Sequence, residues 1–155
     1  MKKSEKGITI VSLVITIIVL IILTSVTVTT STSVIREAKL QTINTNMMLI
    51  QAKTKTIAEQ AKFNKDTSNY KGTVVSNILD NQKILKLIND GVIDDQSNYY
   101  LLSSTDLQDL GLQKIDIEDG YVVNYDTEEV IYVKGFSNEG TTYYKLSELK
   151  TVTAK

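Results

Sequence analysis

Few residues in this chain could perform acid–base, nucleophilic or metal chemistry. The 155 residues contain no histidine and no cysteine. Histidine is the usual general base and, with cysteine, the usual zinc ligand, so a Ser-His-Asp triad and a zinc site are both excluded. The absence of cysteine also excludes a disulfide framework. We therefore expect no catalytic residues, no cofactor and no metal, and a protein that is not an enzyme.

Two groups of oxygen-bearing side chains remain as candidates for chemistry. Four acidic residues fall close together in the sequence: Asp116, Glu118, Asp119 and Asp126. Carboxylate clusters suit calcium, but this spacing matches no defined calcium loop, so a solvated turn is the favoured interpretation. Ser103 and Ser104 have no base partner in the sequence and fit the start of a helix better. Glycine-rich phosphate loops and nucleophile elbows are also missing from the sequence.

The N-terminus combines a short basic segment with a long apolar run. Lys2, Lys3 and Lys6 precede Gly7, and an almost wholly apolar run begins directly at Ile8. No ionisable residue occurs from there until residue 36, a stretch longer than the ~20 residues that cross a bilayer. The sequence predicts a transmembrane helix over 8–30, single-pass, with the lysines holding its first end in the cytoplasm and the remainder outside the cell.

This arrangement resembles the type IV pilin and pseudopilin superfamily, whose members carry a class III signal. In that family a basic leader ends in glycine, and a prepilin peptidase cuts on the cytoplasmic side before the apolar segment. The resemblance implies a leader over 1–7, cleavage between Gly7 and Ile8, and methylation of the new amine of Ile8. The lysines listed above would be the positive charges of that leader.

The resemblance also implies a function and a set of partners. The chain would be a major or minor subunit of a type IV pilus-like or type II secretion-like filament. Its partners would be other pilin subunits packed through the N-terminal helix, the prepilin peptidase, an assembly platform protein and the membrane. It would be located in the cell membrane or, after assembly, in an extracellular filament.

One position departs from the family pattern. The usual glutamate, fifth after the cut, is replaced by Ser12. In major pilins that carboxylate is thought to neutralise the N-terminal amine of a neighbouring subunit. An unpaired acid in hydrocarbon costs several kcal/mol, so the serine removes both a cost and a specific attraction. Some minor pilins and pilin-like proteins of Gram-positive bacteria lack this glutamate too.

Two other interpretations of the N-terminus stay open. The apolar run could be an uncleaved signal anchor that holds an extracellular domain for binding an unknown surface partner; retention of residues 1–7 would indicate this. Alternatively, ordinary signal peptidase could cut near Ser25, which would leave a secreted protein without an anchor.

Charge is distributed unevenly along the chain. Residues 1–65 carry nine basic and three acidic residues, a net charge of +6. Residues 66–155 carry eight lysines and fifteen acidic residues, a net charge of −7. The acidic distal part does not favour nucleic-acid binding, and solvation is its simplest explanation, although it could also steer one subunit onto the basic part of another.

The region after the apolar run continues the helical pattern. No glycine or proline interrupts residues 8–71. Apolar or small residues recur at alternating spacings of three and four: Leu40, Ile43, Met47, Ile50, Thr54, Ile57 and Ala61. This predicts an amphipathic stem helix over 31–65, continuous with the apolar part, with a curve or loosened turn in the Thr/Ser-rich residues 24–33.

The remaining residues, 66–155, predict an extracellular α+β head. A helix is expected from Val75 to Asn89, capped by Ser76, and a short strand is expected over 99–102, followed by a helical turn at Ser104. Strands over 121–125, 130–133 and 142–146 predict a three-stranded antiparallel meander whose tyrosines cover the sheet and the stem. The fold class is therefore α+β, and the resemblance implies a pilin-like fold, with the long helix packed on a small antiparallel sheet.

Overall fold

The computed structural model of the chain describes residues 5–94, 96, 98–113, 115 and 120–152, and for residues 5–9 and 23–32 it describes the backbone only. The protein consists of a long N-terminal helix and a five-stranded antiparallel sheet with short helices between its strands. The α+β class predicted from the sequence is confirmed.

Helix α1 runs from Glu5 to Asn64, 60 residues in all. At 1.5 Å per residue its length is about 90 Å. The backbone is helical through residues 24–33, where the sequence predicted a loosened turn. The helix ends because Lys65 adopts a φ of 53° and the Asp66 amide donates to the Ala61 carbonyl, a bond that satisfies one of the last carbonyls.

The sheet contains five strands in sequence order, each antiparallel to its neighbours. They are β1 (Thr73–Val74), β2 (Tyr99–Leu102), β3 (Tyr121–Asn124), β4 (Val130–Asn138) and β5 (Thr141–Lys145). The predicted meander is confirmed as β3–β5, and the predicted strand over 99–102 extends it as β2. Strand β1 was not predicted, because two residues are too few to show an alternating pattern.

The head also contains a 3₁₀ turn at Val75–Asn77 and three short helices: α2 (Gln82–Asn89), α3 (Ser104–Asp109) and α4 (Leu146–Leu149). The prediction of one helix from residue 75 with Ser76 as its cap is wrong. Asn81 caps α2 instead, and its Oδ1 accepts a hydrogen bond from the Lys83 amide at 3.0 Å. Pairing of β1 with β2 keeps the chain extended up to Val74, a 3₁₀ turn follows, and the α-helix begins only after Asn81.

Both faces of the sheet are covered. On one face the stem and α3 and α4 pack against alternate strand residues, among them Val123, Tyr132 and Phe136. On the other face α2 buries Ile84 and Leu87. There they pack with strand residues that include Val122, Ile131 and Val133. The head is therefore three layers deep, with the sheet between α1 and α2.

The buried stripe of the stem agrees with the sequence pattern except near its end. Leu40, Ile43, Met47 and Ile50 are at most 4% exposed, and Thr54 and Ala61 are also buried. After Thr54 the next buried residue is Ala58, whereas Ile57 is half-buried at the edge of the core. Because a helix has 3.6 residues per turn, a stripe along one side must sometimes take two successive spacings of four, as from Ile50 to Thr54 to Ala58. The Thr54 hydroxyl is satisfied by the Ile50 carbonyl at 2.9 Å.

Polar contacts set the position of the stem along the sheet. Arg36 Nη2 donates to Asn138 Oδ1 at 3.0 Å, and Gln51 Nε2 donates to the Glu128 carbonyl at 2.7 Å. Lys55 Nζ forms an ion pair with the Glu128 carboxylate at 2.8 Å. Exposed ion pairs contribute up to about 1 kcal/mol, so these contacts select the register, while the apolar core supplies most of the stability.

Gly135 lies at an irregularity in the pairing of β4 with β5. Its φ is +72°, and a Cβ at this position would lie 2.5 Å from Thr142 Cγ2 and 2.7 Å from Tyr144 Cε1. We expect Gly135→Ala to lower the free energy of unfolding by about 1–3 kcal/mol. Gly140→Ala is the matched control, because Gly140 has a similar φ of +85° but no atom near its Cβ position. If denaturant titrations gave the same loss of unfolding free energy for both variants, crowding around the Gly135 Cβ position would not be the cause.

Three tyrosines pack together beside the segment that follows the stem. Tyr70 stacks on Tyr125 with ring centroids 4.0 Å apart, and Tyr100 contacts both rings edge-on. The Tyr125 hydroxyl donates to the Lys71 carbonyl at 3.0 Å and accepts from the Lys71 amide at 2.8 Å. Burial raises the pKa of the Tyr125 hydroxyl to about 12.

This raised pKa predicts a loss of stability at high pH. Because the folded-state pKa lies above the ordinary value of about 10, Tyr125 contributes fully below pH 10 and its contribution is lost as the pH rises towards 12. Two pKa units correspond to about 3 kcal/mol. We expect the stability advantage of the wild type over Tyr125→Phe to shrink across this pH range in denaturant titrations. A difference that is constant from pH 9 to pH 12 would contradict the prediction.

Candidate functional site

The residues of the predicted processing site lie at the start of α1. Lys2 and Lys3 lie outside the described residues. Lys6, Gly7 and Ile8 belong to the first turns of the helix, and the structure describes their backbone, which is helical. The peptide bond predicted to be cut therefore lies two residues after Glu5, the first residue of α1.

Ser12, at the position of the family's usual glutamate, is exposed on the helix. Its carbonyl accepts a hydrogen bond from Thr16 Oγ1 at 2.7 Å. Such a bond to the carbonyl four residues earlier satisfies a hydroxyl within the helix itself, so Thr16 adds little polarity to the apolar run.

The apolar side chains that the structure describes near the start of α1 are all exposed. From Ile10 to Ile22 the large apolar side chains are 46–63% exposed on every side of the helix. Further along the helix, Arg36 makes a polar contact with Asn138 of the head. An apolar surface of this extent marks a site that interacts with a membrane or with other proteins. Within the part of the chain that the structure describes, no single helix is long and apolar enough to cross a membrane.

The oxygen-bearing groups singled out in the sequence do not form a reactive site in the described residues. Ser103 Oγ donates to Asp106 Oδ2 at 2.5 Å and accepts from the Asp106 amide, which is a helix cap. The predicted helix start at this point is confirmed. Asp116, Glu118 and Asp119 lie outside the described residues. Among the residues described, no three acidic groups are placed to hold a metal ion.

A groove of about 570 Å³ lies between the end of α2 and the edge strand β5. Its charged lining residues are Lys86, Asp90, Lys145 and Glu148. One oxygen of Glu148 accepts the amides of Tyr144 and Lys145, both at 3.1 Å, so this carboxylate caps the start of α4. The groove combines both signs of charge and contains no nucleophile paired with a base.

Sequence reasoning missed the contacts that join the stem to the head. Arg36 meets Asn138 across 102 positions, and Gln51 meets Glu128 across 77. No local pattern could have shown these pairs, because each depends on where the sheet lies against the helix. The part of the stem that packs on the sheet does have one feature that is visible in the sequence, because no charged residue occurs between Lys39 and Lys53.

A scan against protein-family models and searches of curated proteins and of solved structures found no match.

Proposed function

We propose that this chain is a pilin-like structural subunit, major or minor, of a type IV pilus-like or type II secretion-like filament. It is inserted with its N-terminus in the cytoplasm, cut after Gly7, methylated on Ile8 and assembled through its N-terminal helix. The observation that carries the proposal is the direct join of a lysine-rich leader and Gly7 to an uncharged run on one long helix.

The exposure of the apolar run supports assembly through the helix. The large apolar side chains from Ile10 to Ile22 are about half exposed. Burying them in lipid would gain about 25 cal/mol for each Å² removed from water. The uncharged sequence from Ile8 to Ile35 allows the helix to stay in hydrocarbon at little polar cost.

The architecture of the head is consistent with the proposal. The second half of α1 packs on an antiparallel sheet that follows it in sequence, as a pilin-like fold would require. The α2 layer on the far face of the sheet is an addition to that expectation. The three-layer head is held by an apolar core on each face, so it can serve as a rigid body carried by the helix.

Ser12 changes how neighbouring helices could attract each other. Without a carboxylate at this position, no ion pair with the amine of a neighbouring Ile8 can form there. Helix association in the apolar part would then depend on van der Waals packing and on occasional hydroxyl hydrogen bonds, which contribute about 1 kcal/mol each.

The experiment that tests this proposal is the intact mass and N-terminal sequence of the protein purified from its own cells. A chain that begins at Ile8 with a methylated amine would support the pilin pathway. A chain that still begins at Met1 would indicate an uncleaved anchor, and a chain that begins after Ser25 would indicate secretion. The matched control is expression in a host without prepilin peptidase, with and without that enzyme supplied.

A further inference from the structure

One end of the head lies beside the point where the uncharged run ends. Arg36 is the first charged residue after that run. Its Nη2 donates to Asn138 Oδ1 at 3.0 Å and to the Ser137 carbonyl at 3.4 Å. Asn138 ends β4, and a two-residue turn of Glu139 and Gly140 leads into β5. The tip of this β4–β5 hairpin is therefore held at the height of Arg36 on the stem.

No linker separates the head from the uncharged run. Helix α1 is continuous from Glu5 to Asn64, so helical backbone joins the two parts. Ser33, which belongs to the run and lies two turns before the buried Leu40, is already half-buried. The next four residues, 34–37, are exposed. The distance from the start of the run to the hairpin tip is therefore set by the length of the helix.

The length of the run matches the thickness of a whole bilayer. Ile8 and Arg36 are 28 positions apart. This separation corresponds to about 42 Å along the helix, or about 40 Å across a membrane at the common tilt of ~20°. The hydrocarbon core is about 30 Å thick, and the core with both headgroup layers is about 40–45 Å thick. A helix inserted as the proposed function requires therefore places Arg36 at the outer headgroup layer, and the hairpin tip with it.

The exposed residues of the hairpin suit a headgroup layer and not hydrocarbon. All of them are small or polar: Ser137, Glu139, Gly140, Thr141 and Thr142. Polar groups of this kind lose their hydrogen bonds to water in hydrocarbon, at a cost of several kcal/mol each. The hairpin can therefore rest on a lipid surface, where water and headgroups supply partners, but it does not insert.

The stem changes from apolar to charged at the same height. Val34 and Ile35 are 62% and 65% exposed, although they stand directly before the first charged residue. Exposed apolar side chains next to a charged turn are typical of a surface that meets the boundary between hydrocarbon and headgroups. The stem and the hairpin tip thus indicate the same level for the lipid surface.

Two cations stand at this level. Arg36 and Lys39 are both exposed, and they lie about 60° apart around the helix. Both contacts of Arg36 with the hairpin use Nη2 alone, whereas a guanidinium carries five N–H donors. Lys39 takes part in neither of the ion pairs found within the described residues. Arginine and lysine are the side chains that bind phosphate groups most readily.

Two anions nearby limit the net charge of this region. Glu37 and Glu139 are exposed. Glu37 lies about 160° from Lys39 around the helix, so it does not stand between the two cations. With two charges of each sign, the region has little long-range attraction for a polyanion. Short-range contacts of the cations with single phosphate groups are the interaction that it can make.

We propose that the hairpin tip and the stem turn from Val34 to Lys39, which we term the basal surface, rest on the outer headgroup layer of the membrane. Arg36 and Lys39 bind the phosphates of lipid headgroups. The inference rests on the proposed function for insertion of the helix, and cleavage after Gly7 is not needed for it. It adds a lipid-binding surface on the head itself, and this surface fixes the height of the head above the membrane.

Protection of Lys39 from an amine reagent tests the contact in the wild-type chain. The full chain is reconstituted in phosphatidylglycerol vesicles and treated with a membrane-impermeant acetylating reagent. Lys62 is the internal control, because it is exposed on the stem about 35 Å beyond Lys39. Relative to the urea-unfolded chain, Lys39 should be acetylated about fivefold more slowly than Lys62, as peptide masses report. Equal relative rates would overturn the proposal.

Two further conditions identify the phosphate and its source. In vesicles of a neutral glycolipid without phosphate, Lys39 should react nearly as fast as Lys62. Protection that is undiminished in glycolipid vesicles would overturn the binding of phosphate. In dodecyl maltoside micelles, added inorganic phosphate should leave Lys39 unprotected. Protection by inorganic phosphate in micelles would assign the cations to a free anion and overturn the lipid contact.

A single tryptophan reports the position of the hairpin independently of lysine chemistry. The sequence contains no tryptophan, and Thr141→Trp places one at the exposed first residue of β5, where an aromatic side chain suits a strand. A lipid that is spin-labelled on its headgroup should quench this fluorescence. Phe63→Trp is the matched control, at a site that is 89% exposed and about 40 Å beyond Arg36, and it should not be quenched. Equal quenching of the two variants would overturn the proposal.

The outcome remains distinct from that of the proposed function. The intact mass of the same samples reports cleavage after Gly7 independently of acetylation and quenching. A chain that begins at Ile8 but leaves Lys39 as reactive as Lys62 overturns the basal contact alone. A chain that begins at Met1 and still protects Lys39 supports the basal contact and overturns the processed filament subunit.

Discussion

Replacing Met47 by alanine is expected to lower the free energy of unfolding by about 2–5 kcal/mol. Met47 is fully buried where the stem packs on the sheet. Its neighbours in the core include Ile50, Tyr121 and Tyr132. Truncation would remove favourable contacts and leave a cavity between a helix and a sheet that are each held rigid by other residues. Because the core on this face of the sheet lies between the stem and the strands, the cavity should lower the stability of the entire head.

The adjacent methionine provides the control for this experiment. Met48 has the same chemistry but is 45% exposed on the stem, so Met48→Ala should change stability by less than about 1 kcal/mol. The measurement is urea unfolding of the full chain in mild detergent, followed by the signals of its eight tyrosines. Similar midpoints for the two variants would contradict the placement of the stem on the sheet.

Gly7→Leu is expected to abolish removal of the leader. If the chain is processed as the proposed function requires, the peptidase must accept residue 7 beside the bond that it cuts. Glycine presents no side chain there, whereas leucine adds four carbons next to the reacting carbonyl. A misplacement of about 1 Å at a reacting group can cost 100-fold in rate, so cleavage should fall below detection in a pulse-labelling experiment.

The matched control for this variant is Ser4→Leu, which adds the same side chain three residues earlier in the leader. We expect Ser4→Leu to be processed at a rate close to that of the wild type, since it lies away from the bond. The readout is the fraction of chains that begin at Ile8, determined by mass. Efficient processing of Gly7→Leu would show that the glycine is incidental and would favour the uncleaved anchor.

The features that could be predicted from the sequence are those that depend on neighbouring residues. The period of Leu40, Ile43 and Met47 predicts the buried side of the stem, because a helix brings residues three and four apart onto one side. The strand-like runs of β3 and β4 and the helix start at Ser103 and Ser104 are equally local, and the structure confirms them. The lysines before Gly7 and the apolar run that follows it are also visible in contiguous residues.

Features that depend on distant residues could not be predicted. The sequence around Val75 and Ser76 favours a helix on its own, but pairing of Val74 with Tyr100 keeps the chain extended up to residue 74, and only a 3₁₀ turn follows. The covering of the far sheet face by α2 is of the same kind, because the apolar side of α2 does not specify which surface it packs on. The bond from Arg36 to Asn138 joins residues 102 positions apart.

The sequence by itself determined that lysines and a glycine stand directly before a long uncharged run, and that this protein lacks the histidine and cysteine of common active sites. It also determined an uncharged interval between Lys39 and Lys53. Only the tertiary structure decided what packs on the buried side of that interval and at what height along the stem. The reason is that the hydrogen bonds from Arg36 to Asn138 and from Gln51 to the Glu128 carbonyl join residues 102 and 77 positions apart, so they depend on where the sheet lies along the helix and not on neighbouring residues.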